Sequence, residues 1–339
     1  MDFAILLAEL SNAAGPAGAE IEVAALITEQ LRPFMDVVYT DTMGNVIGER
    51  HCGKAGAKRV LLEAHMDEIG YAVTGNRAVF LTLAALGRAD TRHLSGARMR
   101  LCTDPPKSGI IAAMPPHLLT AKDAEKPLSI DDMLLDLGLS EEEAAEIPLG
   151  TPVVFDIEAR TMGDTHLTGK ALDNRASLAA ILRALSQLEN WMAEIDLFVV
   201  ASVQEEVGCR GAGPAVFALK PDICICLDVT FASTPDTKRH VKQGAGAVIT
   251  RGAFFDCNLA DGLKSLAEQH EIPHQIEVTP ARSSTSADSM GITRAGAPTA
   301  LISLPLKYMH TAVELIDLRD LTAAADLLVA YLKGGARNA

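Results

Sequence analysis

The chain predicts an α/β fold: a mainly parallel sheet flanked by helices, with a small β-rich domain inserted into it. Three observations carry that expectation. Short β runs alternate with helical patterns along most of the 339 residues. The clearest of these runs are almost continuously apolar, as strands covered by helices on both faces are. From about Ala72 to Thr165 the alternation gives way to short β-like pieces, Gly and Pro turns and the Pro-rich segments TDPPKSG and AMPPH. At about 150 residues per domain, the length accommodates two. The expected division is an α/β domain over 1–71 and 166–339, with the β-rich insertion over 72–165.

Taken in order, the strands read RVLLEAH (59–65), IDLFVVASV (195–203), DICICLDV (222–229) and APTALIS (297–303). A helix follows Leu-Asp-Asn-Arg, because Leu178, Ile181, Leu182, Leu185 and Leu188 recur at helical spacing and form one stripe. A second, near 317–333, sets Leu321, Leu328 and Leu332 on one face and stops at Lys333-Gly334-Gly335, a basic last turn followed by glycine. Inside the insertion the helical signal is confined to LSIDDMLLDLGLSEEEAAEI (128–147).

The composition narrows the function. With 30 basic and 44 acidic residues the net charge is −14, which repels phosphate backbones and argues against a nucleic-acid partner. No apolar run reaches the roughly 18 residues that span a bilayer. The start, MDFAILLAELSNAAG, lacks the basic opening of a signal peptide. The six cysteines form no CxxC pair, and Cys224 and Cys226 alternate on one strand face as buried thiols do. A reduced, cytoplasmic protein that needs no membrane is the expectation.

Polar groups gather at the predicted strand ends, where open α/β sheets hold their ligand crevices. In LLEAHMDEIG, His65 leaves a strand and Asp67 follows two residues later, on the same side of an extended chain. There a carboxylate can orient the imidazole as a metal ligand. In GKALDNRASL, Asp173 or Asn174 caps the long helix, a role compatible with ligation. In VASVQEEVGCRGAG, Glu205 and Glu206 follow a buried strand, where like charges repel unless a cation or shared proton compensates. Asp228 ends the strand of CLDVTFASTPD, and His310 in LPLKYMHTAVE lies beyond the last strand and before the C-terminal helix. Glu314 reads as a helix-surface residue four positions on. Each patch alone has an ordinary structural explanation. Together they offer a nitrogen and oxygen donor set for two divalent ions, zinc or cobalt, with one glutamate left over as general base.

In order and spacing, HMDEIG, KALDNR, QEEVGCRGA, LDVT and YMHTAVE resemble metallopeptidase family 42, the dinuclear aminopeptidases that include glutamyl, lysyl and TET-type self-compartmentalising enzymes. The resemblance runs over nearly the whole chain, and GIIAAMPPHLL and IPLGTPVVF resemble that family's small β domain. It implies a zinc-peptidase-like fold and hydrolysis of N-terminal residues from short peptides by a hydroxide held on two metals. It implies that His65 and Asp228 serve the first metal, Glu206 and His310 the second, and Asp173 both. Asp67 would orient His65, and Glu205 would be the general base and acid. It further implies a homo-oligomer, commonly a dodecamer, built through the inserted domain, which also acts as a lid. The chain departs from the family at Ala176-Ser177, at Thr285–Met290 in place of a Gly-Thr-Asp-Ala segment, and at Lys307 in place of an arginine. The last two departures bear on the pocket that reads the substrate side chain, which is expected near Ser284–Met290 and Lys307.

Two other functions compete. Some relatives carry the label endoglucanase, but a glycosidase uses two opposed carboxylates and has no task for the histidines. A catalytically silent peptide-binding protein of the same fold is the other.

Overall fold

The computed structural model describes residues 2–112, 114, 116–120, 129–188, 194–237 and 240–334. Leu128 of the expected insertion helix, Ala113 and Pro115 of the Pro-rich segment and Gly335 of the terminal stop lie outside them.

The chain opens with helices α1 (Phe3–Asn12) and α2 (Ile21–Leu31) and strands β1 (Val37–Thr40), β2 (Val46–Arg50) and β3 (Arg59–His65). Next come β4 (Gly70–Arg77), β5 (Phe80–Leu86), β6 (Arg98–Leu101), β7 (Lys107–Ala112), β8 (Leu134–Asp136), α3 (Glu141–Ala145) and β9 (Pro152–Phe155). The chain then returns through β10 (Arg160–Met162), β11 (His166–Gly169), α4 (Leu172–Gln187), β12 (Asp196–Ser202), α5 (Ala212–Leu219) and β13 (Ile223–Phe231). It ends with β14 (Ala247–Arg251), α6 (Cys257–Gln269), β15 (His274–Val278), α7 (Ala287–Met290), β16 (Thr299–Lys307), β17 (Glu314–Asp317) and α8 (Leu318–Lys333).

Eleven strands form one large sheet in the order β1-β2-β12-β3-β13-β16-β17-β11-β10, with β14 and β15 branching from β16. The centre, β12-β3-β13-β16, is parallel, while both flanks pair antiparallel. The sheet is therefore mixed rather than mainly parallel. The buried apolar runs read from the sequence are the central strands, and the shorter flanking ones lack that signature.

Alternation along β3 divides the interior. Val60, Leu62 and Ala64 pack into a core with α1, α2, α4 and α8, whereas Leu61 packs with Cys224, Cys226 and α5 on the opposite face. The α4 stripe from Leu178 to Leu188 is buried as its spacing predicts.

Between β3 and β11 the chain closes a separate barrel, β4-β5-β8-β7-β6-β9, around Tyr71, Leu83, Met99, Leu135 and Phe155. Arg160–Met162, expected within the insertion, instead pairs with β11 at the edge of the large sheet. The helical signal of the insertion also resolves differently. Leu134–Asp136 is a barrel strand, and only Glu141–Ala145 is α-helical, started by a capping box between Ser140 and Glu143. A buried Lys170–Glu68 ion pair of 2.8 Å joins the segment between β3 and β4, which leads from the sheet into the barrel, to the segment between β11 and α4.

Candidate metal centre

The parallel register decides where the polar groups meet. Ser202 lies opposite His65, so the loops after β12 and β3 leave the sheet at one edge. Cys226 lies opposite Glu63, so two residues on, Asp228 comes abreast of His65. This is the C-terminal edge of the parallel strands, the place the sequence reading anticipated. Glu205 and Glu206 follow a left-handed Gln204 (φ 57°), which turns the chain so that both reach the same cavity. His310, with φ 62°, arrives from the loop between β16 and β17.

Asp173 stands between the two histidines. One of its oxygens lies 3.2 Å from His65 Nε2 and the other 3.3 Å from His310 Nε2. His65 Nε2 is also 3.8 Å from an Asp228 oxygen and 4.0 Å from a Glu205 oxygen, while His310 Nε2 is 3.4 Å from Glu206 Oε2. Two groups thus bring their ligand atoms within 4.8 Å of one another: His65, Asp173 and Asp228, and Asp173, Glu206 and His310. They share Asp173.

The surrounding hydrogen bonds orient these groups. His65 Nδ1 faces Asp67, 3.2 Å from its backbone carbonyl and 3.4 Å from its carboxylate. The Asp67 carboxylate also accepts the backbone N–H groups of Glu205 (2.9 Å) and Glu206 (3.1 Å), so it organises the glutamate turn as well as the histidine. His310 Nδ1 is 3.0 Å from the backbone carbonyl of Arg88, on the segment after β5 of the barrel. Cys209 Sγ donates to Glu205 Oε1 at 3.0 Å.

Burial crowds carboxylates here with two imidazoles as the cationic partners. It pushes Glu205 up to about 7 against the pull of His65, and it raises Glu206 and, strongly, Asp228. Burial opposes charge on Asp173 too, but the hydrogen bonds from His310 and His65 outweigh it and hold the carboxylate below its ordinary range. Burial likewise disfavours a charged His310, yet Asp173 and Glu206 lift it to about 11. The imidazoles are thus drawn into supplying positive charge to an acidic site. Glu206 Oε1 is buried with no hydrogen-bond partner. An N/O donor set with surplus negative charge and an orphaned acceptor is one that divalent ions satisfy.

Two sequence expectations change. Neither Asp173 nor Asn174 caps α4 through its side chain: the two residues depart from helical geometry at a kink that separates the first residues of α4 from the rest, and the Asp173 carboxylate faces the histidines instead. Asn174 instead donates to the carbonyl of Leu227 beside Asp228. Glu314 is no helix-surface residue. It begins β17, is buried, and accepts the backbone N–H of His310 through Oε1 (2.8 Å) and that of Asp173 through Oε2 (3.0 Å). The sequence reading missed this role. The available signal was its spacing of four from His310 in an apolar VELID run.

The site opens into a cavity of about 580 Å³. Ser284, Thr285, Asp288 and Ser289, from the segment expected near the pocket, line it. Lys307 does not; it lies in β16 opposite Leu315.

The profile of the M42 glutamyl aminopeptidase family matches residues 44–327. The lysyl aminopeptidase of Pyrococcus furiosus is 34% identical over 337 residues, covering 97% of this chain and 96% of its own. An aminopeptidase structure from the archaeon Desulfurococcus kamchatkensis superposes with a TM-score of 0.91 at 31% identity, over 98% of this chain and 94% of that one. The TET1 peptidase of Pyrococcus horikoshii, which can assemble into a tetrahedron or a large octahedral shell, gives 0.87 at 29%, over 98% and 99%. With the profile spanning most of the chain and a relative above 30% identity along nearly its full length, the chain belongs to the M42 glutamyl aminopeptidase family.

Proposed function

We propose that this chain removes N-terminal residues from short peptides with a free amine, at two divalent ions, with Glu205 as general base. His65, Asp173 and Asp228 would hold one ion, and Asp173, Glu206 and His310 the other. The observation that supports this most is Asp173 presenting a separate oxygen to each histidine, the arrangement of a shared carboxylate. Such ions, when bound, polarise the scissile carbonyl and lower the pKa of the attacking water, and zinc or cobalt suits these donors.

The protein's own groups do the rest. Glu205 Oε1 is tied to Cys209, while the other oxygen faces the first ligand group. A buried carboxylate at this position is suited to taking a proton from water and returning it to the leaving amine. Asp67 and Glu314 fix the backbone of four of these groups, so the geometry costs little to assemble. Cys209 is no nucleophile: burial and the neighbouring Glu205 raise its thiol well above the ordinary range.

The inserted barrel, expected over 72–165, would serve assembly and act as a lid. Exposed Ile110, Met114 and Leu118 and the contact of Arg88 with His310 support this. A TET1 structure at 29% identity that holds a dodecamer, beside the TET1 shells, suggests a homo-dodecamer here. Free cysteines, the −14 charge and the lack of any helix among the described residues long and apolar enough to cross a membrane suit a cytoplasmic enzyme without nucleic-acid or membrane partners.

Aminoacyl anilides assayed beside soluble cellulose, with and without chelator, test the reading. Chelator-sensitive anilide cleavage with intact cellulose is expected. Cellulose cleavage would favour a glycosidase, and a metal-loaded sample inert towards every free-amine peptide would favour a silent binding protein.

A further inference from the structure

We infer that Glu63 is a positioning residue of the first ligand group, a side-chain clamp at the fork where β13 parts from β3 and leaves room for an ion between His65 and Asp228. The inference rests on the metal reading and adds to it a residue outside both ligand groups. β3 and β13 pair in parallel from Val60 with Ile223 up to Glu63 with Cys226, and among the described residues their register stops there, although both strands run on. Two residues beyond, His65 Nε2 and an Asp228 oxygen face each other at 3.8 Å. The carbonyl of Leu227, the first residue of β13 past the fork, is met by the side chain of Asn174 at 2.8 Å. On its other side β3 stays paired with β12 as far as Ser202 and His65, and the Ser202 carbonyl then accepts the Met66 N–H at 2.7 Å.

Glu63 sits at the root of this fork and is 1% exposed. Its Oε2 accepts the Cys226 thiol at 3.1 Å, across to β13, and its Oε1 accepts the Ser202 hydroxyl at 2.6 Å, across to β12. One carboxylate thus ties the three strands that deliver His65, Asp228 and, three residues after Ser202, Glu205. Alternation along β3 puts Glu63 and His65 on the same face, so the clamp lies directly beneath the first ligand group. Burial pushes the Glu63 carboxyl up against the pull of the two hydrogen bonds. An apolar side chain would suit the core that Leu61 and Cys224 form on this face, so packing alone does not call for a buried acid here. What the acid supplies is a fixed spacing between β3 and β13 at the point where backbone hydrogen bonds cease to set it. Donors already held at their bonding separation bind an ion more tightly, because less ordering remains to be done when it arrives.

Zinc affinity of the full chain, measured in competition with a chromogenic chelator, tests the clamp without relying on turnover. In the His310→Ala background the first ligand group is read alone, and in the Asp228→Ala background the second. Glu63→Leu should weaken zinc about tenfold or more in the first background and leave it unchanged in the second. Glu63→Gln should recover most of the affinity, since its carbonyl can accept the Cys226 thiol while the Ser202 hydroxyl accepts from its amide. Cys226→Ala cuts only the tie across the fork and should reproduce the effect of Glu63→Leu, so it carries the test if the leucine variant does not fold. A general loss of core packing would not single out one group. Equal weakening of both groups, full first-group affinity in either variant, or no recovery in Glu63→Gln overturns the clamp while the metal centre stands. If the parent chain binds no zinc, the metal reading itself fails and the clamp falls with it.

Discussion

Glu205→Gln separates the roles of the cluster. Glutamine keeps the shape of the side chain and an acceptor for Cys209, and it leaves both candidate ligand groups intact. Turnover should fall about 10²–10⁴-fold, the range a positioned general base contributes, with two metals per chain retained. Burial pushes the Glu205 carboxyl up to about 7, so its base form grows as pH rises. Bound cations favour the carboxylate, so the acid limb of kcat/KM should lie below 7 in the loaded enzyme and be absent in the variant. The metal-free chain gives a second reading. A carboxyl whose folded value lies above its unfolded one binds the proton more tightly when folded, so stability is lost as pH rises from about 4.5 to about 7. At about 1.4 kcal/mol per pH unit that interval amounts to about 3 kcal/mol. Glutamine carries no such cost. With chelator present, the variant should therefore be the more stable by up to that amount at pH 8 and no more stable at pH 4, as measured by urea unfolding. A variant within tenfold of parent turnover, or one that loses metal, or a stability difference independent of pH, would refute the reasoning.

His310→Ala should bind one metal where the parent binds two, by elemental analysis after dialysis; unchanged content would remove His310 from the site. Glu314→Gln sets an amide where the backbone N–H groups of Asp173 and His310 find a carboxylate, and metal affinity should weaken about 10–100-fold in competition titrations. Unaltered affinity would make Glu314 a fold residue only. Light scattering should give about 430 kDa, twelve times 35.9 kDa; a value near a single chain would exclude the dodecamer.

Much of the site could be read from the sequence because its residues sit at the ends of strongly apolar central strands. His65, Glu205 and Asp228 are placed by β3, β12 and β13, whose runs identify themselves locally. The Ser140–Glu143 cap is local in the same way. Other features depend on partners distant in sequence. Leu134–Asp136 became a strand because β5 and β7 lie on either side of it, against its helical pattern. Glu314 became a buried anchor because β17 inserts between β16 and β11. Asp173 gave up its capping role because His65 and His310, 108 residues before it and 137 after it, converge on its two oxygens. Arg88 reaches His310 only through the barrel. Side-chain periodicity and turn chemistry are short-range quantities carried in the local sequence, whereas strand order and the convergence of charges in a buried cavity are settled only when the whole chain packs.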